Sequence, residues 1–268
     1  MPSAPLALVP VSPVVLSSYG KDGKTGGPRS NLQALANTKM GVCAPEVAPA
    51  LLALHNAVTA AGGDFRVTEL HRDAAVQLAA RKKYENWLAA GKPSRTSSAY
   101  NAATMKADFV APAGKSMHNG GRAIDYHVGM TNFPGVPKDK QLDKMWELCR
   151  PLGWRPIIKA PDEGASESWH LDYWGELTGV YDRLGYDQGA LCGALLVGHA
   201  GEWQTYERVV QALLQRAGFA IGELDGAVGP KTLGALSTAT SLPMVAVKTK
   251  TAMKDESFFP TLLALPAK

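Results

Sequence analysis

Four side chains could meet to do chemistry. His118 and Asp125 lie seven residues apart in an H-x-x-G-x-A-x-D run, and Gly120-Gly121 between them allows a sharp turn, so both side chains can converge on one point. Much later, His170 follows Glu167 in E-S-W-H. Two imidazoles and one carboxylate form a three-ligand set suited to zinc with an open fourth position. Residues three apart on a strand point to opposite faces, so the spacing predicts Glu167 in a turn or bulge just before a strand that carries His170. From there it would reach a water at the metal rather than the metal, which is the place of a general base. A single histidine in a strand is more often packed than a ligand. The two motifs strengthen each other because they fall in one predicted domain and supply complementary ligands. His55, His71, His127 and His199 fit no ligand spacing.

The elements that must position these residues follow from periodicity. Val47, Leu51, Leu52, Leu54 and Val58 have helical spacing, and Gly62-Gly63 stops that helix. Phe65 and Val67 alternate with polar neighbours, as in a strand. A second helix runs from Ala74 to the Gly91 and Pro93 stops, and residues 94–115 form a long loop of the kind that usually has a functional use. Ala123 to Val128 and Trp169 to Tyr173 read as strands, with a helix through Leu142, Met145, Trp146 and Cys149 between them. The order α, β, α, loop, β, α, β predicts an α+β fold rather than a doubly wound parallel sheet. The character changes near residue 187. Residues 188–200 are small and apolar, a linker or a first helix, and Val209, Leu213, Leu214 and Ala217 share a helix face that Gly218 stops. Asp225-Gly226 is a turn, and Pro230 opens another helix. The boundaries predicted are an extended N-terminal segment over 1–40, a catalytic domain over 41–187, a small all-α domain over 188–245 and a tail of no clear period over 246–268.

The composition excludes several classes. With 268 residues, 46% hydrophobic and 19% charged, the chain is not disordered throughout. No window approaches a bilayer span. The net charge of +4 is concentrated in the first 40 residues, residues 41–189 balance, and no dense basic face for nucleic acid results. Cys43, Cys149 and Cys192 are too few and scattered for a disulfide framework or a Cys-rich zinc site, so they are expected as buried free thiols. The opening MPSAPLALVPVSPVVL lacks a basic start and is broken by Pro5, Pro10 and Pro13, so no cleavable leader is predicted.

S-M-H-N-G-G-R-A-I-D with E-S-W-H resembles the zinc D-alanyl-D-alanine peptidases: D,D-carboxypeptidases, D,D-dipeptidases and phage L-alanyl-D-glutamate endopeptidases. Their pattern is S-x-H-x-x-G-x-A-x-D and then (D/E)-x-x-H. Ser116, His118, Gly121, Ala123, Asp125, Glu167, Trp169 and His170 match it, and the resemblance covers roughly residues 45–186. It implies a small antiparallel sheet flanked by helices, a scaffold shared with hedgehog signalling domains. It also implies Zn2+ on His118, Asp125 and His170, with Glu167 as the catalytic carboxylate. The family usually has an arginine in a segment like V-T-S-G-Y-R. Here Val67-Thr68-Glu69-Leu70-His71-Arg72 stands there, and the resemblance gives Arg72 the substrate carbonyl and the oxyanion. Glu69-Leu70-His71 departs from that segment, which bears on specificity.

The C-terminal run through Val209, Leu213, Gly218, Phe219, Asp225, Gly226, Gly229, Pro230, Thr232 and Ala235 is similar to a three-helix peptidoglycan-binding domain of wall hydrolases. Together the two resemblances imply a monomeric peptidase acting on peptidoglycan. Without a leader, a phage endolysin released by a holin is expected first. An antibacterial effector of a contractile secretion system and a non-catalytic wall-binding protein with a degenerate peptidase domain are the alternatives.

Overall fold

Val47, Leu51, Leu54 and Val58 repeat at helical spacing and form the buried stripe of α2 (Val47–Ala60) in the computed structural model, which describes residues 2–17, 41–128, 131–162, 164 and 167–268. That stripe needs an apolar partner, and an antiparallel four-stranded sheet provides it. The strand order is β3 (Val67–Glu69), β4 (Ala123–Tyr126), β6 (His170–Tyr173), β5 (Trp154–Pro156). Alternation divides the central strands. Ile124, Tyr126 and Leu171 turn to one face, where α2 and α4 (Gln141–Cys149) cover them with Leu51, Leu54, Met145 and Trp146. Asp125, His170 and Asp172 therefore lie on the other face. The short strand β5 lies at the sheet's edge, where a proline such as Pro156 is tolerated. Its three residues carry too little pattern to be predicted.

The helix α3 (Ala74–Ala89) is capped by the Asp73 carboxylate, which accepts from Ala75 N at 2.8 Å. It buries only Gln77 and serves as a rail for the irregular segment 93–111. Gln77 Nε2 donates to Ala111 O (2.6 Å), Arg81 Nη1 to Val110 O (2.7 Å), Asn86 Nδ2 to Thr104 O (3.0 Å) and Trp87 Nε1 to Pro93 O (2.9 Å). Four of the loop's carbonyls thus find partners without regular structure.

Within the segment expected as extended, residues 2–17 do more than lead in. The strand β1 (Val9–Pro10) pairs with β2 (Val42–Cys43), and α1 (Pro13–Ser17) follows. Val11 and Val15 are buried in the cluster beneath the sheet. Residues 18–40 lie outside the described residues.

After β6 come α5 (Thr178–Leu184), α6 (Tyr186–Leu196), α7 (Tyr206–Arg216), α8 (Pro230–Thr240), α9 (Met244–Ala252) and α10 (Phe258–Leu263). Residues 188–196 thus form part of a helix, and the tail that showed no period contains most of α9 and all of α10. Both helices are short, and few of their residues are buried, Phe258, Phe259 and Leu262 among them. The helix α6 is buried on every side from Gly189 to Leu196. One apolar cluster runs from Met117, Ala123, Trp174 and Leu177 through α6 to Leu213, Leu236, Val247 and Phe259. A fully buried leucine in it, such as Leu213, contributes about 1.5–3 kcal/mol. The architecture is mixed α+β, with small antiparallel sheets flanked by helices, as the sequence predicts. Cys43, Cys149 and Cys192 are free and buried, and burial pushes each thiol up to about 12.

Candidate metal centre

Sheet register brings two of the predicted ligands together. Asp125 on β4 pairs directly with His170 on β6, and on its other side with Glu69 on β3. Directly paired residues share a face, so three polar side chains form a row across the sheet. His118 arrives from the turn before β4. That turn tightens through Asn119 N to Ser116 O (2.9 Å) and Gly121 N to His118 O (3.1 Å). Gly121 has φ +63°, and a Cβ there would meet Ala44 N at 2.9 Å and Cys43 Cα at 3.0 Å, so the turn requires glycine. Asn119, fully buried, ties the turn to the end of β3 by donating to Arg72 O at 2.7 Å and accepting from Gly114 N at 3.0 Å.

The protons decide what the site wants. His118 Nδ1 lies 2.6 Å from Leu70 O, a pure acceptor, so the proton sits on Nδ1 and the Nε2 lone pair faces Asp125 Oδ1 at 3.2 Å. His170 Nε2 lies 2.8 Å from Asp172 Oδ1, so Nε2 carries a proton, and Nδ1 faces the same Asp125 oxygen at 3.0 Å. His118 Nε2, His170 Nδ1 and Asp125 Oδ1 converge on one point, each imidazole turned there by the bond its other nitrogen makes, and the arrangement suits a cation. Their donor atoms all lie within 4.8 Å of one another, a grouping that among the described residues only these three make. Bonds of about 2.0–2.1 Å to a tetrahedral zinc set neighbouring donors about 3.3 Å apart, close to the 3.2 and 3.0 Å that separate Asp125 Oδ1 from the two imidazoles. Nitrogen and oxygen donors of this kind fit zinc.

In the metal-free chain, charge takes up the slack. Burial opposes ionisation of Asp125, yet the His118 and His170 imidazoles beside it hold its carboxyl far below the usual range. Burial would lower His170, but the Asp172 and Asp125 carboxylates raise it to about 10.

Glu167 and Arg72 line the same cleft of about 300 Å³ with His118, Asp125 and His170. Glu167 lies in the turn entering β6, its carbonyl accepting from His170 N at 3.0 Å. Its φ of +68° is left-handed, a conformation that for a non-glycine residue costs on the order of 1–3 kcal/mol and collects at functional sites. Burial lifts the Glu167 carboxyl above its ordinary value, with Asp125 adding to the rise and His170, His118 and Arg72 opposing it. Arg72 is held by three bonds: Nε and Nη2 to the two Glu69 oxygens, both at 2.5 Å, and Nη1 to Gln77 Oε1 at 2.7 Å. Thus Glu69, the departure noted in sequence, clamps the arginine. The cleft's rim is apolar, with Phe109, Ile157 and Trp169 exposed around it.

Sequence reading missed Asp172, Glu69, Asn119 and Tyr186 as parts of this site. Asp172 had a signal, since it lies two residues beyond His170 and so on the same strand face. Asn119 and Glu69 had none beyond proximity to motif residues, and Tyr186 lies on a separate helix.

A family model described as D-alanyl-D-alanine carboxypeptidase (VanY) matches residues 42–176, half of the chain. No curated protein and no solved structure matches it. The matched segment contains Arg72, His118, Asp125, Glu167 and His170 and ends before α6.

Proposed function

The chain belongs to the D-alanyl-D-alanine carboxypeptidase family, and on that premise we propose that it is a zinc peptidase hydrolysing a peptide bond in the peptidoglycan stem or cross-link. The observation that carries this reading is the meeting of three metal-type donors, His118 Nε2, Asp125 Oδ1 and His170 Nδ1, beside a carboxylate in one cleft. Zinc bound there would polarise the scissile carbonyl and make water a better nucleophile at neutral pH. Glu167 takes the proton from the attacking water and returns it to the leaving amine as the C–N bond breaks. Its raised pKa suits both steps, because the ionised form accepts and the protonated form gives up its proton readily. Arg72 faces the developing oxyanion with its guanidinium fixed by Glu69 and Gln77, so no reorganisation is needed as charge develops. Phe109, Ile157 and Trp169 offer apolar surface at the rim to a bound peptide stem.

The setting we propose is cell-wall lysis as a phage endolysin, with delivery as an antibacterial effector the alternative. The resemblance of the C-terminal helices to a wall-binding domain supports either. In the structure, the Asp225-Gly226 turn of that resemblance is held by Gln211, which donates to Asp225 Oδ1 and accepts from Gly226 N, both at 2.8 Å.

Mass spectrometry of purified peptidoglycan fragments tests the reading. Zinc-loaded protein should release products with a new amine and a new carboxylate at one stem-peptide bond. Glu167→Gln should keep its zinc and its fold and lose about two to four orders of magnitude in turnover. No cleavage by the zinc-loaded protein, or near-normal turnover in Glu167→Gln, contradicts it.

A further inference from the structure

Asp172 is 2% exposed, a carboxylate taken out of water, and such a group must be bonded. Two donors satisfy it. His170 Nε2–H reaches its Oδ1 at 2.8 Å, and the Tyr186 hydroxyl donates to the same carboxylate. Tyr186 is the first residue of α6, lies beyond residue 176 where the family match ends, and lines the cleft. Its ring packs edge-on against Trp174, centroids 5.5 Å apart, so α6 packing holds the hydroxyl in place. The result is a chain of contacts from α6 to the metal centre: Tyr186 to Asp172, Asp172 to His170 Nε2, and His170 Nδ1 to the point where the three donors meet.

We infer that Tyr186, acting through Asp172, is a positioning residue for the metal ligand His170, so that the helical half of the chain completes the metal centre. The physical reason lies in the imidazole. His170 coordinates through Nδ1 only if its proton is kept on Nε2 and its ring is prevented from turning. A buried acceptor on Nε2 does both, and makes the opposite nitrogen a better donor. Asp172 is that acceptor. With one donor alone it could swing away from His170, and the Tyr186 hydroxyl gives the carboxylate a second partner. Neither residue touches the metal or the substrate carbonyl, so their effect is on how well His170 binds.

The inference rests on the zinc reading above, and its test is built to separate the two. Zinc affinity is measured by chelator competition on the full chain, together with the visible spectrum of the cobalt-substituted protein and the melting temperature of the metal-free form. Asp172→Asn keeps the volume and removes the charge; Tyr186→Phe keeps the ring packing and removes the hydroxyl. Asp172→Asn should weaken zinc by about 10–100-fold, the range for such outer partners, and Tyr186→Phe by a smaller factor. Both should shift the cobalt spectrum, Tyr186→Phe without moving the metal-free melting temperature. Tyr186→Phe added to Asp172→Asn should change affinity no further, because the chain is already broken. Unchanged affinity in both single variants overturns the inference. So does an equal Tyr186→Phe loss in both backgrounds, or a Tyr186→Phe loss that tracks a lower metal-free melting temperature. A wild-type chain that takes up no zinc fails the metal reading itself, and this inference with it.

Discussion

On the sheet face, Asp125, His170 and Asp172 are polar groups largely out of water, while beside the turn that enters β4 the helix α6 buries apolar side chains from Gly189 to Leu196 on every side. The first region is arranged against stability. It withdraws carboxylates from water, faces lone pairs toward one another and holds Glu167 in a left-handed turn. The second is arranged for it, with regular helices and a continuous apolar cluster. The two meet where a Cβ on Gly120 would lie 3.0 Å from the Gly193 carbonyl carbon, so the turn that presents His118 packs against the backbone of α6. The difference teaches that the helical part supports the site as well as itself: burial from one region holds in place the unfavourable polar geometry of the other.

Removing one side of that contrast gives the largest effect. His118→Ala or His170→Ala leaves two donors, too few to hold zinc well, and elemental analysis should find stoichiometric metal gone and activity gone with it. Full zinc occupancy in both variants would break the ligand assignment. Leu213→Ala, in the apolar region, should do the reverse. It should lower stability by about 2–5 kcal/mol in denaturant melts while the zinc affinity of the folded protein stays at the wild-type value. Loss of zinc affinity in that folded variant would mean that the two regions do not divide their tasks as described.

The pH dependence sharpens the contrast more gently. Glu167 must be ionised to accept a proton, and burial raises its pKa, so the active form is lost as pH falls through a value above the ordinary 4.5. The acid limb of kcat/KM should lie above 4.5 and disappear in Glu167→Gln, and it should be unmoved in Leu213→Ala. An acid limb at or below 4.5 would contradict the burial of that carboxylate.

How much of this was legible in the sequence depended on range. His118, Asp125 and His170 were visible because glycine turns and strand spacing are local signals, and α2, α3, α4 and α7 were visible through their periodicity. Glu69 clamping Arg72 needed the register of β3, and Asp172 needed the partner of His170 Nε2. Tyr186 could not be found locally, because α6 reaches the site only through tertiary packing. The helices α9 and α10 were hidden because they bury few residues, Val247 in the first and a Phe258, Phe259, Leu262 set in the second. Strand β1 was hidden because Val9–Pro10 carries no alternation and its partner β2 lies more than thirty residues away.

The central claim is that three lone pairs on the sheet face define a zinc site. Anomalous scattering from crystals of the zinc-loaded protein, recorded on both sides of the zinc absorption edge, tests it most directly. The account predicts one peak bonded to His118 Nε2, Asp125 Oδ1 and His170 Nδ1, with His170 Nε2 still on Asp172. No peak at that point, or one that engages His170 through Nε2, would contradict it.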